Sequence, residues 1–295
     1  GLQTDGSFSK VIVIEHHEPV FLHGLGNDAL DQFVAQYSGH SIKQQVIISS
    51  AQKNKASSGA ASAVFLDGVT KATISVMIVN DVVLSTALQV ARDKLEGFSL
   101  PAQSALLDKD VDIMDWTALL SSGLVHPWTL SSNGVFKSLG RHYSDYKHLF
   151  ESGDEQDSFT QHSFTELYYA YLNAPDVGIS LLGEPTYSTL MADLPVGDHL
   201  IWVGSNGLYP HISEDFTPGT VPARISLGQG GLNIEIKDTN ASTELKKIVA
   251  KNAPEFSQNS IFRIKGISNF NLGGETEITL NINLPRNHLI TDSLS

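Results

Sequence analysis

Asp67-Gly68-Val69-Thr70-Lys71-Ala72-Thr73 leads directly into ISVMIVNDVVLSTALQVARDKLE, residues 74–96, a run with neither Gly nor Pro. The β-branched side chains of Ile74, Val76, Ile78, Val79, Val82 and Val83 favour a strand by propensity. Length decides the other way, because strands seldom exceed about 10 residues. The run is therefore predicted to be a long helix, with Gly97 as its C-terminal stop. Residues 63–66 read as a short strand in front of it, so Thr73 falls at the helix start. A helix N-terminus presents unpaired backbone N–H groups and the positive end of the macrodipole, and so favours anions. A phosphate esterified to the Thr73 hydroxyl would be a phosphodiester, with one negative charge held against those groups. Lys71 supplies a mobile positive charge nearby, and Gly68 lets the backbone turn sharply or approach a ligand. The plainer alternative is that Thr73 is only an N-cap.

Further elements extend in both directions. Residues 11–14 and 20–22 read as short strands flanking Glu15-His16-His17-Glu18-Pro19. Asn27 is placed to cap a helix carrying Leu30, Phe33, Val34 and Tyr37 at helical spacing. Residues 42–49 read as a strand and 52–62 as a polar loop. Residues 115–120 begin another helix, followed by irregular structure around Pro127 and Gly134. The acidic stretch ESGDEQDSFTQHS, residues 151–163, is the candidate boundary between two domains, 1–155 and 156–295. Beyond it, residues 166–172 and 199–203 are strand-like. Residues 176–194 are helical in part, with Pro185 allowed in a first turn. Residues 224–227 and 232–236 form a hairpin across Gly228-Gln229-Gly230-Gly231. A short helix is expected at 243–251, and residues 261–264 and 275–284 close a second sheet.

The chain has 295 residues, a formal charge of −13 and a hydrophobic fraction of 41%. That composition is globular, and the length favours two domains. Acidity of this degree repels phosphate backbones and gives no basic patch, which argues against nucleic acid as a partner. There are no cysteines, so disulfides, thiolate metal sites, iron–sulfur clusters and a thiol nucleophile are excluded within this chain. The most apolar region, residues 75–84, is interrupted by Asn80 and Asp81. No unbroken apolar stretch approaches the roughly 20 residues of a bilayer crossing, and the chain reads as soluble. It opens on Gly1-Leu2, without Met or an apolar leader, as a trimmed or processed chain does.

Residues 67–73 resemble the flavinylation motif Asp-Gly-x-Ser/Thr-Gly-Ala-Thr of FMN-binding domains. That motif is found in the NqrC and RnfG subunits of ion-pumping redox complexes and in NosR. In those families a flavin transferase uses FAD to attach FMN, through its phosphate, to the last Thr. Thr73 takes that position; Asp67, Gly68, Thr70 and Ala72 match the other defined ones, Val69 fills the free one, and Lys71 stands where the motif has Gly. The likeness extends beyond the motif. Residues 15–19 (EHHEP), 77–92 (MIVNDVVLSTALQVAR), 166–182 (ELYYAYLNAPDVGISLL), 183–194 and 253–256 (APEF) are similar to the periplasmic region of the NosR/NirI family. The second half resembles a module that NqrC and RnfG lack.

This resemblance implies an α+β fold: an FMN-binding domain with a mixed sheet and a long helix after the motif, then a second α/β domain. It implies FMN on Thr73, with Asp67, Gly68, Val69, Thr70, Lys71, Ala72, Ile74 and Ser75 around the attachment point. It also implies an electron-transfer flavoprotein with no catalytic residue of its own, on the periplasmic side of the bacterial inner membrane. Transmembrane helices and an iron–sulfur domain would lie outside this chain. The implied partners are the flavin transferase and nitrous-oxide reductase or its assembly machinery. An NqrC/RnfG-like ion-pump subunit and a non-redox docking or sensing module with a vestigial flavin site are the alternatives.

Other features carry less. His16-His17 and the histidines at 142–148 lack metal-ligand spacing, and adjacent histidines on a strand face opposite ways. Trp116, Trp128 and Trp202 could stack on a flavin ring, but aromatic residues mostly fill cores. Residues 228–231 lack the Lys-Ser/Thr of a phosphate loop, and no hydrolase elbow or metalloprotease helix is present.

Overall fold

The computed structural model describes residues 1–49, 63–98, 111–139, 163–214, 216–239, 247–268, 270–284 and 288–294. A π-helical turn, Phe21–Leu25, precedes α1 (Asn27–Ala35), β1 (Gln45–Ser49), β2 (Ala63–Asp67) and the long α2 (Thr73–Lys94). Then come α3 (Trp116–Ser121), β3 (Val125–Ser131), α4 (Ser132–Leu139), β4 (Ser163–Tyr171), α5 (Pro175–Leu182), α6 (Glu184–Asp193) and β5 (His199–Gly207). The last elements are strands: β6 (Ile225–Gln229), β7 (Leu232–Ile234), β8 (Lys237–Asp238), β9 (Gln258–Ile264), β10 (Thr276–Leu284) and β11 (His288–Leu294). The fold is α+β, as the sequence implies.

Three sheets organise these elements. β1 and β2 pair in parallel, with Gln45 opposite Ala63 and Ser49 opposite Asp67. A four-stranded antiparallel sheet runs β11-β10-β6-β7, and a five-stranded antiparallel sheet runs β3-β4-β5-β9-β8. The five-stranded sheet is buried on both faces. On β5, Ile201 and Val203 enter one core while Leu200 and Trp202 enter the other, as the two-residue period of a strand requires. The first core holds α1, α2, β1, β2 and the apolar side chains of β6, β7 and β10; the second holds Trp116, Leu119 and the α5 side chains Val177, Leu181 and Leu182.

The expected division at 155/156 does not coincide with this arrangement. β3 pairs with β4 from Val125 opposite Ala170 to Ser131 opposite Ser163, so one sheet takes strands from both sides of the division. The first core does the same, joining Val76 and Leu88 to Leu227 and Leu280. A sheet, rather than a linker, separates the two cores. Residues 151–162 lie outside the described residues.

α2 is helical over nearly the expected span. It buries Val76, Asn80, Ala87, Leu88 and Ala91, one stripe of its surface, and leaves Ile74, Ile78, Val82 and Val90 exposed. By length and composition α2 is long and apolar enough to cross a membrane. The interruption at Asn80 and Asp81 does not take it below that threshold, because two polar residues are outweighed by their β-branched neighbours.

Several elements differ from expectation. Residues 11–14 form no strand: Val11 and Val13 pack on the first core and Ile14 is 95% exposed. The alternation is there, but no ladder among the described residues includes this segment. The strand expected at 20–22 is the π-helical turn. α1 is capped by Gly26 at φ 81°, not by Asn27, which is its first residue. The expected irregular region around Pro127 and Gly134 is β3 and α4. Residues 261–264 and 275–284 join different sheets rather than one. Of the helix expected at 243–251, residues 247–251 are not helical and the remainder lies outside the described residues.

Candidate functional site

The turn that delivers Thr73 is built by short-range hydrogen bonds. Ala72 N–H donates to the Val69 carbonyl at 3.0 Å, closing a four-residue turn over Thr70 and Lys71. Lys71 has φ 69° and Thr70 a negative φ, the signs of a type II turn, whose third position favours Gly. This is the position at which the sequence has Lys where the flavinylation motif has Gly. Gln36 holds the segment from outside: its amide donates to the Asp67 carbonyl at 3.0 Å and accepts from Asp67 N–H at 2.8 Å. Ala72 then caps α2 through its backbone alone, with Val76 N–H on its carbonyl at 3.0 Å and no side chain capping the helix.

Thr73 is therefore the first helical residue and not an N-cap. It is exposed. The N–H groups of Thr73, Ile74 and Ser75 have no acceptor within the helix, and no acidic residue of α2 lies in its first turn. The sole carboxylate from elsewhere that the described hydrogen bonds bring to this turn is Glu18, which accepts from the Ser75 hydroxyl at 2.7 Å.

Thr73 lies on the wall of a cavity of about 400 Å³, together with Gly68, Val69, Thr70 and Lys71. The volume falls in the roughly 300–1,000 Å³ range of small-molecule sites. Val46, Ile47 and Ile48 of β1 form an apolar wall; Met77, Asn80 and Asp81 continue it along α2; Thr217, Thr220, Val221, Glu235 and Lys237 close it from the far end of the sequence. Asp67, Ala72, Ile74 and Ser75 do not line it: the Asp67 side chain is exposed, Ala72 is buried, Ile74 is 76% exposed and Ser75 turns to Glu18.

Sequence reasoning missed a polar cluster at the inner end of the cavity. Tyr37, fully buried, donates to Asn80 Oδ1 at 2.7 Å, and Asn80 Nδ2 donates to Glu235 Oε2 at 3.3 Å. Lys265 forms an ion pair with Asp81. Burial, then the neighbouring Asp81 charge, pushes Glu235 up to about 7, against the pull of Lys265 and Lys237. The same two carboxylates, after burial, hold the Tyr37 phenol above its ordinary range. Asn80-Asp81 in the middle of an apolar run was the one visible signal of this cluster.

The remaining candidates lie elsewhere. Trp116 and Trp202 pack edge to face in the second core, and none of the three tryptophans lines the cavity. His16 bonds to Asn27 at 3.1 Å and His17 is exposed beside Glu15. Among the described residues no three His, Asp or Glu side chains gather as a metal site; residues 142–148 lie outside them.

The chain is 30% identical over 286 residues to the regulatory protein NosR of Stutzerimonas stutzeri, covering 95% of this chain and 37% of that protein. It is 30% identical over 275 residues to the regulatory protein NosR of Pseudomonas aeruginosa, covering 91% and 36%. To the protein NirI of Paracoccus denitrificans it is 32% identical over 101 residues, covering 34% and 15%. No protein-family profile and no solved structure matches it. The chain spans little more than a third of the NosR proteins it matches, and over that span it belongs to the NosR/NirI family.

Proposed function

We propose that this chain carries FMN joined through its phosphate to the Thr73 hydroxyl, and that it passes electrons on the periplasmic side of the membrane in support of nitrous-oxide reductase. One observation carries the reading: an exposed hydroxyl at the uncapped start of α2 stands on the wall of a cavity of about 400 Å³. A phosphodiester there would meet the free N–H groups of the first turn and the positive end of the helix. Lys71 and Lys237 line the same cavity and oppose its charge. The apolar β1 wall and Met77 suit a flat ring system, with the polar cluster at one end.

In this role Thr73 is an anchor rather than a base or nucleophile. The flavin supplies the redox chemistry, and the chain supplies position and electrostatics. A flavin transferase would load the site, and nitrous-oxide reductase or its assembly machinery would be served by it. The similarity to NosR along most of the chain favours this reading over an ion-pump subunit.

Intact-mass and peptide mass spectrometry after co-expression with a flavin transferase tests it. One FMN is expected on the peptide containing Thr73. Thr73→Val should abolish the adduct and Thr73→Ser should keep it. An adduct that persists in Thr73→Val would place the attachment elsewhere and overturn the proposal.

A further inference from the structure

The polar cluster at the end of the cavity is more than a wall. A second, smaller cavity of about 250 Å³ lies behind it, lined by Asp81, Glu235, Lys265 and Ser268. Asp81 and Glu235 line both cavities, so this carboxyl pair is the partition between them. Both spaces are partly open to solvent, and Thr73 is on the first only.

The two carboxyls are not equivalent. Asp81 has a dedicated counter-charge in Lys265. Glu235 has a neutral amide donor, Asn80, and the charge that acts on it most strongly is that of Asp81. A hydrogen bond between the two carboxyls favours the protonated form of Glu235, as it must, because two carboxylates have no donor to share. The charged or titratable groups facing Glu235 are Asp81 from α2, Tyr37 from the segment after α1, Lys237 from β8 and Lys265 from the segment after β9. The arrangement favours a proton on Glu235, between the second cavity and the space beside Thr73.

We propose that Glu235, backed by Asp81, is a proton donor to the cavity beside Thr73 and is refilled from the second cavity; this rests on the FMN reading of that site. The electron comes from a one-electron carrier of the iron–sulfur class. As it arrives, the Glu235 O–H bond breaks and its proton passes to a ring nitrogen of the flavin, forming an N–H bond. The carboxylate left behind takes up a proton from bulk solvent, relayed through the partly open second cavity, so that no hydroxide is left there. One electron and one proton enter together, and the net charge of the cavity is unchanged. In the low dielectric of the site, that balance removes the cost of an uncompensated anion beside Asp81.

The test uses the chain with and without flavin. In the unloaded chain, a carbon-13 NMR titration should find the Glu235 carboxyl titrating above the ordinary glutamate range, with the signal gone in Glu235→Gln. In the loaded chain, the plot of midpoint potential against pH should break where Glu235 titrates. The break should vanish in Glu235→Gln and survive, displaced, in Glu235→Asp and Asp81→Asn. Proton uptake on reduction should slow at least tenfold in Glu235→Gln. Loaded protein whose plots and uptake rates coincide with those of Glu235→Gln overturns the relay and leaves the Thr73 assignment standing. Absence of an adduct on the Thr73 peptide overturns that assignment, and the relay with it, whatever the NMR titration shows.

Discussion

Lys71→Gly should stabilise the unloaded chain, although it removes a side chain from the site. Lys71 has φ 69° at the third position of the turn closed by Ala72 N–H on the Val69 carbonyl. A left-handed backbone costs a residue with a Cβ roughly 1–2 kcal/mol. Gly removes that strain but adds freedom to the unfolded chain, which offsets roughly 0.5–1 kcal/mol. The net gain is then about 0.5–1 kcal/mol, a rise of about 1–4 °C in the unfolding midpoint for a chain of this order of size. Lys71→Ala is the needed partner variant, because it removes the charge and keeps the Cβ. Asn252, at φ 65°, is an internal control: Asn tolerates this region, so Asn252→Gly should gain less. Urea and thermal unfolding of all three, without flavin, gives the comparison. A Lys71→Gly chain no more stable than Lys71→Ala would refute the strain argument.

Tyr37→Phe should destabilise the chain by about 1–3 kcal/mol in urea unfolding, since it leaves the buried Asn80 Oδ1 without its 2.7 Å donor; a loss well below that would mean Asn80 finds another partner. His211 lies fully buried between the Ser205 and Ser260 hydroxyls at 2.6 and 2.9 Å, and burial, then Arg224, pushes it down to about 3. A depressed histidine contributes stability that is fully present above its ordinary 6.5 and is lost as pH falls toward about 3, so His211→Gln should flatten the acid limb of the stability profile between those values.

Local chemistry made some elements readable. Asp115 caps α3 as its sequence position indicates, accepting from Ala118 N–H at 2.9 Å. Pro175 and Pro185 open α5 and α6, where the missing N–H costs nothing. Gly230 and Gly231, at φ 60° and 75°, make the two-residue turn between β6 and β7. β3 was hidden by Pro127, which a central strand would not accept; among the described residues β3 is an edge strand, with one side of its ladder unused. The cross-sheet pairing of β3 with β4 was hidden for another reason. A polar, acidic stretch lies between them in sequence, and composition reports what a segment is made of, not which strands meet across it. The site divides in the same way. Its motif side, residues 68–73, is contiguous and could be read; Glu235, Lys237 and Lys265 arrive from well over a hundred residues away, through pairings that no local pattern encodes.

The same physics explains why α2 is ambiguous by composition and specific in place. Its β-branched residues give it the length and apolarity of a membrane-crossing helix. Two polar side chains in such a span are costly unless each finds a partner. Here each does: Asn80 bridges Tyr37 and Glu235, and Asp81 takes Lys265. Those partners come from the segments after α1, β7 and β9, so satisfying Asn80-Asp81 requires the first core to be assembled around α2. Register follows from this. Rotating α2 by one residue would move Asn80 away from Tyr37, leave two buried polar groups unpaired, and carry Thr73 off the cavity wall. The polar pair that interrupts the apolar run thus fixes the angular position of the hydroxyl seven residues before it, and a chain with Asn80→Leu should lose that placement even where α2 itself stays helical.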